Sequence, residues 1–141
     1  MPIEVARNRE STVAVVHCFG KLTEADIKNA IEFAFSSGLI EPSLDRIVTI
    51  DPTAELHELD SATLRRIQQC VVSQELRGNR AGRFRSVLVH SSPLQMQLLQ
   101  LYKAIWDELA LPGVEFFIAS NLKEAWITLG RRPSPLQRES T

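Results

Sequence analysis

The side chains that could do chemistry are few and scattered. Three histidines, His17, His57 and His90, show no metal-ligand spacing among themselves. Asp51 and Asp60 could serve as an acid and a base, but the segment between them fixes no distance. A catalytic reading would need two of Asp51, Asp60 and His90 within hydrogen-bond reach. No serine has the flanking glycines of a nucleophile elbow. Gly20 stands alone rather than in a phosphate-cradling or dinucleotide-binding loop. No catalytic residue, metal site or cofactor is therefore expected. His17 lies inside an apolar run and reads as a satisfied core residue. Cys18 and Cys70, the two cysteines, lack a CxxC partner and read as buried reduced thiols. The arginines Arg77, Arg80, Arg83 and Arg85 form the densest charge feature, which fits a phosphate, an acidic partner or a solvated loop.

The elements that must position these groups follow from periodicity. Residues 3–9 alternate weakly, and residues 12–19 (TVAVVHCF) form a nearly continuous apolar, β-branched run, so the two predict a leading hairpin. Thr23 with Asp26 makes a capping box for a first helix whose inner face is Ile27, Ala30, Ile31 and Ala34, closed by Gly38. Residues 46–51 (RIVTID) are a strand, and Asp60 or Ser61 caps a second helix with Leu64, Ile67, Val71 and Cys70 turned inward. Residues 85–90 (RSVLVH) are a further strand, and Ser92-Pro93 opens a third helix. Its apolar stripe is broad: Leu94, Leu98, Leu101, Tyr102, Ile105, Trp106 and Leu109. A stripe wider than one face can bury would serve as an interface, including a homodimer one. The last strand is 114–119 (VEFFIA), and Asn121 caps a final helix through Ala125, Trp126 and Leu129 to Gly130.

The order β-β-α-β-α-β-α-β-α implies right-handed crossovers and an α/β fold, a mostly parallel sheet with helices packed on both faces. It also implies one domain over residues 1–130 and a flexible tail over 131–141. Ligands of such sheets collect beyond the carboxyl ends of the strands. That edge gathers Lys21, Asp51, His90, Ser91 and Ser92, together with Ser120 and Asn121. Helix N-termini facing it would favour an anion, although every such helix needs a cap in any case.

Composition narrows the function classes. Apolar residues make up 44% and charged residues 23% of 141, ordinary globular values. A formal charge of -1 gives no reason to expect nucleic acid. No apolar run approaches the ~20 residues that span a bilayer, and the first ten residues carry acid as well as base, unlike a targeting peptide. A cytoplasmic protein without a membrane partner is expected.

With the elements in order, the chain resembles the STAS fold, the family of bacterial anti-sigma-factor antagonists and their relatives. The resemblance runs from about residue 3 to residue 130. Its carriers are Gly20-Lys21-Leu22-Thr23 leading into the first helix, and Ile47-Val48-Thr49-Ile50-Asp51 followed by Leu59-Asp60-Ser61-Ala62-Thr63-Leu64. In that family a serine at this helix start is phosphorylated by a kinase that is also the binding partner. Here Ala62 stands at the usual acceptor position and Thr63 replaces a glycine, which leaves Ser61 as the modifiable hydroxyl. The C-terminal half looks more like the divergent STAS-like group, similar in architecture to lipid-carrying relatives.

Two functions follow. The first is a non-catalytic regulatory module presenting Asp60, Ser61, Thr63, Arg65 and Arg66 to a protein partner, a kinase or an anti-sigma-like regulator. The alternative is a carrier or sensor of a small apolar or anionic ligand. Its pocket would lie between the third helix and the sheet, gated by the edge formed by His90, Ser91 and Ser92.

Overall fold

Asparagine at the end of the first strand sets the entry to the fold. In the computed structural model, which describes residues 2–41, 44–76 and 83–130 and the backbone of 136–137, β1 (Ile3–Asn8) and β2 (Val13–Cys18) form an antiparallel hairpin. The Asn8 carboxamide closes it, accepting from the backbone N–H groups of Thr12 (2.8 Å) and Val13 (2.9 Å) and donating to Thr12 Oγ1. A short polar side chain thus satisfies the turn donors that the ladder leaves over.

From β2 onward the chain alternates as expected: α1 (Glu24–Ser36), β3 (Asp45–Ile50), α2 (Ser61–Leu76), β4 (Phe84–Val89), α3 (Pro93–Leu109), β5 (Val114–Ala119) and α4 (Leu122–Thr128). The helix starts read from the sequence are present. Thr23 accepts from Asp26 N–H, Asp60 from Thr63 N–H, Ser92 from Gln95 N–H and Asn121 from Glu124 N–H. Gly38 and Gly130 both take the left-handed conformation at helix ends, φ +80° and +67°, which a Cβ would oppose.

The sheet order is β5-β4-β3-β2-β1-β6, with β2 to β5 parallel and β1 antiparallel to its neighbours. The sixth strand, β6 (Leu136–Gln137), lies in the expected tail and pairs with β1. The rest of that tail lies outside the described residues.

Alternation along the strands divides the core in two. Helices α1, α2 and α3 cover the face that carries Ala14, Val16, Cys18, Val48, Ile50, Leu88 and Phe116. Among the described residues the short α4 packs on the other, where Ala125, Trp126 and Leu129 join one cluster with Val13, Val15, Ile47, Val87 and Val89. Within the three-helix layer the Arg46 guanidinium is wholly buried. It pairs with the Glu75 carboxylate of α2 and stacks 4.1 Å over the Phe84 ring. The stripe on α3 is wider than its burial: Leu99, Ile105 and Trp106 are inside, whereas Leu94, Leu101 and Leu109 face outward.

Candidate functional site

The carboxyl edge of the sheet does assemble where topology puts it, and several of its polar groups bond to one another or to neighbouring segments. Asp51 Oδ1 accepts from the Thr53 hydroxyl (2.6 Å) and backbone N–H (2.9 Å). Those two bonds, the hydroxyl first, hold the Asp51 carboxyl below its ordinary range against a smaller opposing effect of burial. Ser91 N–H donates to Gln95 Oε1 at 2.9 Å, and Gln95 Nε2 donates to the Asp51 carbonyl at 2.9 Å. Gln95 is 2% exposed and stitches β3 to the start of α3. Lys21 is paired with Glu58 at 3.6 Å. No hydrogen bond or ion pair links Asp51, Asp60 and His90 to one another among the described residues. Among the described residues, the juxtaposition that a catalytic reading needs is not formed.

His17 departs from the sequence reading. It is half-exposed rather than core, with Nδ1 sharing a 2.7 Å hydrogen bond with Thr49 Oγ1 and Nε2 lying 4.0 Å from Asp51 Oδ2. Its place in an apolar run misleads because odd-numbered β2 residues share the face opposite the three helices, and His17 near the strand's end is left half-exposed there.

The segment 52–60 runs as a strap of turns with one isolated bridge. Glu55 N–H donates to the Gly20 carbonyl (2.8 Å) and Leu22 N–H to the Glu55 carbonyl (3.0 Å), a bridge continuing the sheet direction. Ala54, Leu56 and Leu59 pack from the strap onto the core.

At the start of α2, Ser61 and Ala62 are exposed and Asp60 is the capping residue. Thr63 is a correction: it is 4% exposed and cannot be presented to a partner. It occupies the third residue of the first turn, directed inward with Leu64, a direction that an isolated hydroxyl in the sequence does not reveal. Arg66 is tied to Glu24 of α1 and Arg65 to Glu108 of α3, so both join helices within the domain. Of the arginine cluster, Arg77 and Arg80 lie outside the described residues, and Arg85 pairs with Asp45 at 2.7 Å.

Three of these surface carboxylates give a pH signature. Asp60 is held low by the Thr63 N–H, Glu24 by Arg66 and Asp51 by Thr53. A depressed folded-state pKa adds stability above the ordinary carboxylate value of about 4, lost as pH falls through the folded value. Thermal unfolding followed from pH 6 to pH 2.5 should show Tm declining below about pH 4. The Asp60→Asn variant, which keeps the cap but cannot titrate, should decline less steeply; an identical slope would show that Asp60 contributes nothing to it.

An apolar opening lies elsewhere, beneath all three helices. A cavity of about 170 Å³ runs between α1, α2, α3 and the sheet. Its walls are aliphatic and aromatic: Ile27 and Ala34 of α1, Leu64 and Ile67 of α2, Tyr102 and Trp106 of α3, Val48 and Leu88 of the strands. Neither His90, Ser91 nor Ser92, the residues expected to gate such a pocket, lines it. The strap touches the cavity through Leu59. Two titratable wall residues are made inert by burial, which pushes the Cys18 thiol and the Tyr102 phenol each up to about 12. Cys70, only partly buried, is shifted in the same direction.

The sequence gives no direct sign of such a cavity, because volume is set by how side chains from separate elements meet. One signal was available. Arg46 and Ser86 are polar residues at inward positions of apolar strands, and both prove to line it.

No family model matches this sequence, and no curated protein matches it. Among solved structures similar to this chain is one titled as the anti-sigma factor antagonist SpoIIAA in its unphosphorylated form. It is 13% identical, over 91% of this chain and 96% of that one, with a TM-score of 0.48. Among the described residues no group of His, Cys, Asp and Glu could hold a metal ion, and no helix is long and apolar enough to cross a membrane.

Proposed function

We propose that this chain is a non-catalytic module that holds a small apolar molecule beneath its three-helix layer, as a carrier or sensor. The cavity of about 170 Å³ is the observation that supports this reading. A single larger aliphatic residue at Ala30 or Ala34, both on its wall, would fill part of this space. The wall chemistry selects against charge and for hydrocarbon. Two free cysteines favour a reducing compartment, and we place the protein in the cytoplasm.

Toluene is the direct probe. At a concentration 10–100 times its Kd it should add about 1.4–2.7 kcal/mol of stability, a rise of several degrees in Tm. No shift across toluene, benzene and xenon would sink the reading.

A second reading, a protein partner at the start of α2, is favoured by the exposure of Ser61 beside the capping Asp60. A phosphate there would meet the N-terminal end of a helix of 16 residues, where a dianion is favoured. Pull-downs with Ser61→Asp and Ser61→Ala should then retain different partners. Equal retention would remove Ser61 as a switch.

A further inference from the structure

The cavity is apolar almost throughout, which makes its exceptions informative. Ser86 Oγ is buried, 1% exposed at the residue level, and has no hydrogen-bond partner. The Trp106 indole N–H, 3% exposed, interacts with the Tyr102 phenol but makes no hydrogen bond of ordinary geometry. Leaving a buried hydroxyl unsatisfied costs about 1–3 kcal/mol, and an indole N–H short of a well-formed bond loses part of that. Both side chains line the cavity.

Phe116 stands beside both. Ser86 on β4 is the direct neighbour of Arg46 on β3 and of Phe116 on β5. The Trp106 indole stacks on the Phe116 ring, centroids 4.7 Å apart. A serine hydroxyl can donate or accept, whereas an indole N–H can only donate. The group that completes both is a hydrogen-bond acceptor.

Charge beside Ser86 is already balanced. The Arg46 guanidinium is held by the Glu75 carboxylate, by the Leu44 carbonyl and by the Phe84 ring. An anion entering beside that pair would be buried without a counter-charge, at a cost of many kcal/mol. Size sets the third limit. An apolar cavity of roughly 150 Å³ accepts benzene, so about 170 Å³ suits a body of that order with one small substituent.

We infer that the ligand of this cavity is a small neutral molecule with an aromatic or short aliphatic body and a single hydrogen-bond acceptor, received by Ser86 Oγ and Trp106 Nε1. This rests on the cavity being a binding site, and it adds which chemical class enters and which way round.

The test compares three molecules of nearly one shape on the full-length protein. Acetophenone carries a carbonyl, α-methylstyrene replaces its oxygen with a methylene, and benzoate carries a charge. Affinities are measured by ligand-observed NMR titration, with thermal shift as a second readout. Acetophenone should bind at least fivefold tighter than α-methylstyrene, the ratio for about one net hydrogen bond, and benzoate should not bind. In Ser86→Ala the preference should vanish or reverse while α-methylstyrene still binds. That variant should fold at least as stably as the parent, since it deletes an unsatisfied hydroxyl. Trp106→Phe should weaken acetophenone and leave α-methylstyrene nearly unchanged. Equal binding of the two neutral probes, unaffected by Ser86→Ala, would overturn the inference and leave the cavity reading intact. Benzoate binding as well as acetophenone would overturn the neutral class. Failure of all three probes, with toluene also silent, would instead remove the binding site itself.

Discussion

Replacing Glu75 with alanine should destabilise the domain by about 3–5 kcal/mol, because it strands a buried guanidinium. Arg46 and Glu75 side chains are 7% and 4% exposed, so neither can turn to water when its partner is lost. Burial alone pushes the Arg46 pKa down, and the Glu75 carboxylate is the largest influence opposing that shift. The Phe84 ring at 4.1 Å and the Phe35 ring at 5.7 Å favour the cation, but neither neutralises it. Urea unfolding of Glu75→Ala measures the loss. The control is the double variant Arg46→Met with Glu75→Leu, which removes both charges and keeps the volume. It should recover most of the stability, since a buried pair is costly to break and contributes little beyond its apolar replacement. A single variant as stable as the parent would mean that water reaches the pair.

Trp126→Ala should cost a similar amount, about 3–5 kcal/mol, through a different physical route. The indole is 2% exposed and sits in the middle of the second core, against strands β2 to β5. It belongs to a helix of seven residues, too short to persist by backbone hydrogen bonding alone. The helix exists because Ala125, Trp126 and Leu129 bury themselves. Removing the largest of them should loosen α4 as a unit, not merely open a hole. Hydrogen exchange separates the two outcomes: amides of α4 should lose protection well before those of α3. Uniform loss across both helices would show that the two cores unfold together.

What could be read from the residues follows the range of the forces involved. Strands and helix ends depend on neighbours a few positions away, so the apolar run at residues 12–19 and the caps Thr23, Ser92 and Asn121 were visible at once. The parallel order followed because a helix between strands leaves little alternative. The site was less legible. His17 looked internal because its strand is apolar, yet near the strand's end it is left half-exposed. Thr63 looked available because hydroxyls usually are, yet its position in the first turn of α2 directs it inward. Gln95 gave no sign of closing the sheet edge, since its partners Ser91 and Asp51 come from different elements. The cavity depends on the fit of three helices to a sheet, which pattern along the chain does not encode.

The strand order β5-β4-β3-β2-β1 has a consequence for how the chain is born. Each strand from β2 to β5 pairs with the one synthesised just before it, so the sheet can widen at that edge as the ribosome proceeds, whereas β6 joins β1 at the other edge last of all. The second face is different. Among the described residues, the cluster of Val13, Val15, Ile47 and Val87 is completed when α4 at Leu122–Thr128 emerges. At about 5–20 residues per second, Val13 waits on the order of 5–20 s for that helix. The last-made helix is the one that turns a sticky nascent sheet into a finished domain, and any chain halted before residue 122 keeps that face open to aggregation.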